Sequence, residues 1–213
     1  MSDIKYILFD AANTLIHKPA LWINLQSTLK KFGHDVPADL LKRNHKLISE
    51  CIRFPDKTSK AFYQEFNSEL LYSIGIMPTE ELLDAVFKAC TYLPWEKFSD
   101  TKVIDSLKLP VGILSNFNSS LKDTIYKEFG DVFKHIFISE NYGIGKPDVK
   151  FYEIAIKEIG FAPNEILYVG DSIKLDMQPA LKAGLNPILI DRDSVYPFYK
   201  NRVSSLDALI LYL

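Results

Sequence analysis

Residues 4–15 read IKYILFDAANTL, an apolar run that stops abruptly on one carboxylate, Asp10. Tyr6, Ile7, Leu8 and Phe9 are four consecutive apolar residues, the pattern of a central strand in a parallel sheet covered on both faces. Ligands of open α/β sheets bind beyond the carboxyl ends of such strands, so Asp10 is expected to project into a crevice rather than into the core. Ala11, Ala12 and Asn13 follow with small side chains where backbone must approach a ligand, and asparagine tolerates a positive φ better than most residues.

Beyond Leu15 the pattern becomes helical for about eighty residues. Four amphipathic stripes can be read there: Trp22, Leu25, Leu29, Phe32; Leu40, Leu41, Leu47, Ile48, Cys51; Phe62, Phe66, Leu70; and Leu82, Leu83, Val86, Phe87, Cys90. Gly33 follows the first, Pro37 opens the second, Thr58 is the expected cap of the third with Gly75 as its stop, and Thr79 stands ahead of the fourth. Short connections between four such helices favour an antiparallel bundle. From Pro94 a helical turn leads to further buried strands at Val111–Leu114, His135–Ile138, Ile166–Val169 and Pro187–Ile190, alternating with helices and closing on a C-terminal helix. That alternation predicts an α/β fold, a Rossmann-like doubly wound parallel sheet with right-handed crossovers. The expected division is a core of residues 1–15 and 96–213, with residues 16–95 as an inserted four-helix domain.

The net charge of −2 shows no basic excess, which argues against a nucleic-acid partner and for a small-molecule one. Cys51 and Cys90 are too few for a disulfide framework and read as core thiols of a reducing compartment. The chain enters its first strand within a few residues, without a basic n-region or cleavage site, and no apolar run reaches the roughly 18 residues of a membrane span. A cytoplasmic monomer or homodimer is the expectation.

Three strands end in polar residues on one edge of the predicted sheet: Asp10, Ser115 with Asn116, and Asp171 with Asp176 a turn beyond. Lys146 arrives from a loop bracketed by Gly143 and Gly145, a position that suggests reaching an anion rather than packing in a core. A carboxylate, a hydroxyl, an ammonium and an acidic pair suit attack on a phosphoryl group. Asp10, ionised near neutral pH at its ordinary pKa of about 3.9, would take the phosphoryl while Lys146 and Ser115 hold its oxygens. Asp10 and Asp171 would hold Mg²⁺, which prefers oxygen ligands.

In order and spacing these residues resemble the haloacid dehalogenase-like hydrolases. The first motif of that family is a strand followed by D-x-D-x-T, here DAANT, with Asp10 in the nucleophile position and Thr14 in the threonine position. Ser115 in ILSNF, Lys146 in GIGKPD, and Gly170, Asp171 and Asp176 in GDSIKLD match the second, third and fourth. The resemblance implies a small phosphorylated substrate, a Mg²⁺ site completed by Asp176 and the backbone carbonyl of residue 12, and a helical cap made by the insertion, which closes over the site.

One position departs from the pattern. The family's phosphatases carry a second Asp two residues after the nucleophile, which protonates the leaving group and then activates water; here it is Ala12. Such acid–base catalysis is worth about 10²–10⁴ in rate. The resemblance therefore leaves four readings: a phosphatase that finds its proton elsewhere, a 2-haloacid dehalogenase, a phosphonoacetaldehyde-hydrolase-like enzyme, and a non-catalytic homologue that binds a phosphorylated ligand or a protein. Dehalogenases of the family lack the second Asp but use no Mg²⁺ and have a less acidic fourth motif, which counts against them. Phosphonoacetaldehyde hydrolases have Ala there and use a cap lysine as a Schiff base, and none of Lys30, Lys31, Lys42 and Lys46 stands out. His17, His34, His45 and His135 lack metal-ligand spacing and read as surface or satisfied polar residues. Trp22 and Trp95 read as packing anchors, with a place in the substrate pocket as the alternative for Trp22, Arg43 and Arg53 as solvated helix-face residues or readers of a substrate anion, and the terminal LILYL as a segment packed on the sheet.

Overall fold

The computed structural model describes residues 3–52 and 58–213. The chain divides into two compact units, Met1–His17 with Lys97–Leu213, and Lys18–Glu96. In chain order the elements are β1 (Tyr6–Phe9), β2 (Ile16–His17), α1 (Ala20–Lys31), α2 (Ala38–Cys51), α3 (Lys60–Ser73), α4 (Glu80–Cys90) and β3 (Glu96–Lys97). They continue as β4 (Val111–Ser115), α5 (Leu121–Phe129), β5 (His135–Ile138), α6 (Ser139–Tyr142), α7 (Val149–Ile159), β6 (Ile166–Gly170), α8 (Gln178–Lys182), β7 (Asn186–Ile190) and β8 (Arg202–Val203).

The larger unit is a Rossmann-like α/β fold. Its sheet runs β5-β4-β1-β6-β7-β8, every neighbouring pair parallel. β1 lies inside it, and all four of its side chains are wholly buried, as its unbroken apolar run demands. Alternation along the strand sends Tyr6 and Leu8 to one face. There they join Phe151, Tyr152 and Ala155 of α7 with Tyr168 and Leu189 in one continuous core.

Three features of this unit depart from the sequence reading. β8 is an extra two-residue strand, too short to leave a periodic signal. The chain ends in a 3₁₀ segment, Leu206–Tyr212, rather than an α-helix; of LILYL only Leu209 is buried, while Ile210, Leu211 and Leu213 are exposed. The helix expected after β6 begins as a π turn, Ile173–Met177, because the amides of Asp176 and Met177 both donate to the Ser172 carbonyl, at 3.1 and 3.0 Å.

The smaller unit is built from α1 to α4, with a core of Leu25, Leu29, Leu41, Leu70, Leu71, Ile76, Leu82 and Val86. α2 uses less of its apolar stripe than expected: Leu41 is buried, but Leu40, Leu47 and Cys51 are exposed. Cys90 is half-buried and packs against this core, whereas the exposed Cys51 is no core thiol. His45 is half-buried with its ring edge-on to Trp22 and Phe66, at centroid separations of 5.2 and 4.9 Å, and burial lowers its pKa to about 4. Arg43 is exposed, and Arg53 lies outside the described residues. Lys18 sits over the indole of Trp95, 4.9 Å from its centroid. No helix of the described residues is long and apolar enough to cross a membrane.

The third helix is capped by Ser59, whose hydroxyl accepts from the Phe62 amide at 3.1 Å; Thr58 instead donates its hydroxyl to the Tyr63 hydroxyl. Thr79 caps α4 as expected, accepting from the Leu82 amide. The two candidate caps are separable by mutation. Ser59→Ala is expected to cost about 1 kcal/mol and Thr58→Ala less than about 0.5 kcal/mol, read from urea midpoints at unchanged slope.

Candidate active site

Strand register brings the polar residues together. Phe9 pairs with Ile113 of β4 and with Val169 of β6, so one residue further Asp10 stands level with Leu114 and Gly170. Ser115 and Asp171, each one residue beyond those, come to the same sheet edge. The Asp10 amide is fixed by the Val169 carbonyl at 2.8 Å. After it the chain makes a tight turn in which the amides of Leu15 and Ile16 both donate to the Ala11 carbonyl, at 2.8 and 3.0 Å. Asn13 carries this turn with a φ of 61°, the left-handed conformation its short polar side chain tolerates.

Asp10 is 4% exposed, and both of its oxygens are held. Oδ1 accepts from the Lys146 ammonium at 2.6 Å and from the Ser115 hydroxyl at 3.4 Å; Oδ2 accepts from the Thr14 hydroxyl at 3.2 Å. Lys146 also donates to Asp176 Oδ1 at 2.7 Å. The lysine is therefore no freely reaching side chain, as its loop suggested. It is buried and caged by two carboxylates, so it bears on stability as well as on any anion.

Asn116 does not touch Asp10. Its side-chain amide donates to the Lys146 carbonyl at 2.8 Å and accepts from the Lys146 amide at 2.7 Å, which makes it a clamp on the lysine's backbone. The clamp needs a glycine beside it, since a Cβ on Gly145 would lie 2.5 Å from the Asn116 Oδ1. Gly170 is required for a similar reason: a Cβ there would meet the Asp176 carboxyl carbon at 2.5 Å.

Sequence reasoning missed the groups that hold Asp176 and the β4 loop. Tyr168 donates its hydroxyl to Asp176 Oδ1 at 2.7 Å, and the Ser172 amide donates to Oδ2 at 2.9 Å. Tyr152 donates to the Leu175 carbonyl at 2.7 Å, steadying the π turn. Ser139 accepts from the Phe117 amide at 3.1 Å just beyond β4. A tyrosine inside an otherwise aliphatic buried strand, ILYVG, was the available signal, because a buried phenol needs a partner.

Asp10, Asp171 and Asp176 each offer an oxygen within 4.8 Å of the others, the grouping a metal ion would use. Two of these carboxylates, Asp10 and Asp176, share the ammonium of Lys146. The pKa of Asp10 is pushed up to about 7, first by burial, with the Asp176 and Asp171 charges adding to it and Lys146 opposing. In this arrangement Asp10 holds a proton more readily than an exposed carboxyl does. Burial pulls the Lys146 pKa down, but Asp10 and Asp176 outweigh it and hold the ammonium charged.

The family model for haloacid dehalogenase-like hydrolases matches residues 4–184. The chain is 37% identical over 197 residues to the glyceraldehyde 3-phosphate phosphatase of Methanopyrus kandleri, covering 89% of this chain and 73% of that protein. It is 31% identical over 228 residues to the (S)-2-haloacid dehalogenase 4A of Burkholderia cepacia, covering 98% and 94%. A match to the glyceraldehyde 3-phosphate phosphatase of Methanocaldococcus jannaschii is 34% identical but spans 58 residues, a quarter of that protein. In fold the chain is similar to the HAD-hydrolase YfnB of Bacillus subtilis, with a TM-score of 0.67 at 19% identity over the whole of both chains. A family match that takes in the strand-end carboxylate, the caged lysine and the acidic pair together leaves one assignment: this chain belongs to the haloacid dehalogenase-like hydrolases.

Proposed function

We propose that this hydrolase is a phosphatase of a small phosphorylated metabolite, working through an aspartyl-phosphate on Asp10 with Mg²⁺ as cofactor. The observation that carries the reading is the close grouping of Asp10, Asp171 and Asp176, two of which hold the ammonium of Lys146. Three neighbouring carboxylates offer the hard oxygen donors that suit a divalent cation. Asp10, Asp171 and the Ala12 carbonyl would hold the ion, with Asp176, already engaged by Lys146, Tyr168 and Ser172, completing the charge. When bound, the ion neutralises charge on the transferring phosphoryl group and polarises its oxygens.

The chain's own residues supply the rest. An Asp10 oxygen attacks phosphorus and the bond from phosphorus to the leaving oxygen breaks. Lys146 and Ser115 hold phosphoryl oxygens, Thr14 orients the carboxylate, and Asn116 keeps Lys146 in place. The leaving oxygen takes its proton from the substrate or solvent, because Ala12 has none to give. Water then attacks phosphorus, the bond to Asp10 breaks, and phosphate leaves with the carboxylate restored. The helical unit is the proposed cap that sets selectivity, and a cytoplasmic monomer or homodimer remains the proposed setting.

A second reading has its own support in Ala12 and in the near full-length likeness to a 2-haloacid dehalogenase. Asp10 would attack carbon and halide would leave without a proton, so Ala12 would be no loss. The acidic grouping weighs against it, since three neighbouring carboxylates repel a carboxylate substrate. Phosphate release from p-nitrophenyl phosphate with Mg²⁺, set against chloride release from 2-chloropropionate in EDTA, separates the two readings.

The metal assignment predicts that Mg²⁺ raises the melting temperature, and more at pH 8 than at pH 5.5. Because the Asp10 pKa lies near 7, the proton it retains at pH 5.5 must be displaced by the ion. Asp171→Asn should remove most of the gain at both pH values; an undiminished gain in that variant would exclude Asp171 as a ligand.

Removing the caged ammonium leaves the carboxylates facing one another. Lys146→Met is expected to lower stability at pH 8 by about 3–5 kcal/mol. Part of this returns at pH 5, where a carboxyl with a raised pKa regains its proton. Vanadate binding should be lost in the same variant, measured by calorimetry under conditions where it stays folded.

Ala12 makes the strongest chemical prediction. Aryl phosphates, whose leaving groups need little protonation, should be cleaved faster than alkyl phosphates. Ala12→Asp should raise turnover of a sugar phosphate by about 10- to 100-fold, within the range general acid catalysis supplies, and raise p-nitrophenyl phosphate turnover much less. Steady-state rates of both proteins on both substrates test this; an equal gain on the two would show that leaving-group protonation is not what Ala12 lacks.

A further inference from the structure

Arg192, two residues beyond the end of β7, takes no part in the chemistry above, yet it is tied to the loop that carries the nucleophile. Its guanidinium grips Asp100 with two parallel hydrogen bonds, Nη1 to Oδ2 at 2.6 Å and Nη2 to Oδ1 at 3.1 Å. Nη2 also donates to the Thr14 carbonyl at 2.9 Å. The guanidinium carbon lies over the Phe98 ring, 3.9 Å from its centroid, and His17 stacks on that phenyl at 3.9 Å and 10°. The Phe98 amide in turn donates to the Leu15 carbonyl at 3.0 Å.

Asp100 is itself fixed, accepting from the Ser205 hydroxyl at 3.1 Å and the Leu206 amide at 2.9 Å. The arginine therefore spans from a braced carboxylate to the turn after β1. Its Nε is buried without a hydrogen-bond partner among the described residues. An orphan donor of this kind is an expense for the fold, and the two Nη contacts are what the arrangement gains in return.

Thr14 is held at both ends: its carbonyl by Arg192 and, through its own hydroxyl, by Asp10 Oδ2 at 3.2 Å. We infer that Arg192 is a positioning residue for the nucleophile, holding the Thr14 backbone so that the Thr14 hydroxyl fixes the rotation of the Asp10 carboxylate. Oδ1 is thereby kept toward Lys146 and Ser115. The inference rests on the proposed role of Asp10 for its kinetic consequence, and on the geometry alone for its structural one. Lysine cannot replace the arginine fully, because an ammonium lacks the planar fork that serves Asp100 and Thr14 at once.

The test is a double-mutant cycle on the full chain with Mg²⁺ and p-nitrophenyl phosphate, joined to amide hydrogen exchange. Arg192→Met should lower kcat by about 10- to 100-fold, the scale of a small misplacement of a reacting group, with KM changed less than about threefold. In a Thr14→Val background the same substitution should cost less than about threefold, because the hydroxyl it acts through is gone. Equal costs in both backgrounds would make Arg192 merely structural and overturn the inference. The Leu15 and Ile16 amides should exchange faster in Arg192→Met while those of β1 do not change; unchanged exchange at residues 15 and 16 overturns it as well. Should the Met variant fail to fold, Arg192→Lys takes its place in both measurements, with an intermediate effect expected. If the wild-type protein turns over no phosphate ester, the phosphatase reading falls, while the exchange comparison still decides whether Arg192 holds the turn.

Discussion

One ammonium shared by two buried carboxylates governs how this site is built. Lys146 donates to Asp10 at 2.6 Å and to Asp176 at 2.7 Å, and all three side chains are withdrawn from water. Buried ions are tolerated only when their charges and hydrogen bonds are nearly all matched. The surrounding structure reads as a set of answers to that demand. Tyr168 and the Ser172 amide complete Asp176, Ser115 and Thr14 complete Asp10, and Asn116 clamps the backbone of the lysine. The glycines at 145 and 170 allow the close approaches these bonds require. A third carboxylate, Asp171, joins the group, and burial first, with the Asp176 and Asp171 charges adding to it, raises the pKa of Asp10.

The sheet and the principal site residues were legible because they follow from short-range pattern. A short apolar run recurring between helical stretches reads as a covered strand, and a polar residue at its end emerges at the sheet edge. Asp10, Ser115, Asp171 and Lys146 are all found from such endings and one glycine-flanked loop. The part that was not legible depends on three-dimensional pairing. Nothing local distinguishes Lys146 in a cage from Lys146 reaching for an anion, since the Asp10 and Asp176 that hold it are 136 and 30 residues away. Ser139 acts through a contact equally invisible in a single sequence, whereas Tyr168 in its aliphatic strand signalled that a partner was needed without saying which.

Smaller misreadings have equally physical origins. Ser59 displaced Thr58 as the cap because adjacent hydroxyl residues compete for one helix start, and the winner is fixed by the backbone rather than by residue type. Leu40, Leu47 and Cys51 fit the period of α2 but fall outside the arc its neighbours cover. In a small helical unit the buried stripe is narrow, and the apolar residues at its margins stay in water. At the C-terminus, a run of five apolar residues has no period of its own. The 3₁₀ segment turns Leu209 inward and leaves Ile210 and Leu211 outside.

Position 12 shows why the chemistry can vary while the fold does not. Asp10, Ser115, Lys146 and Asp176 are buried and bonded to one another, so changing any one strands a charge or a donor in the interior. Ala12, half-buried on the turn after β1, belongs to no such cage; the turn is held by its backbone, through the amides of Asn13, Leu15 and Ile16. A change of side chain there leaves every one of those backbone bonds intact, so this position is free of the stability constraint that fixes the caged residues. Asp10 and its charge partners are fixed by the buried cage they form, whereas the side chain at residue 12 is not part of it. Residue 12 can therefore change without cost to the architecture that holds Asp10.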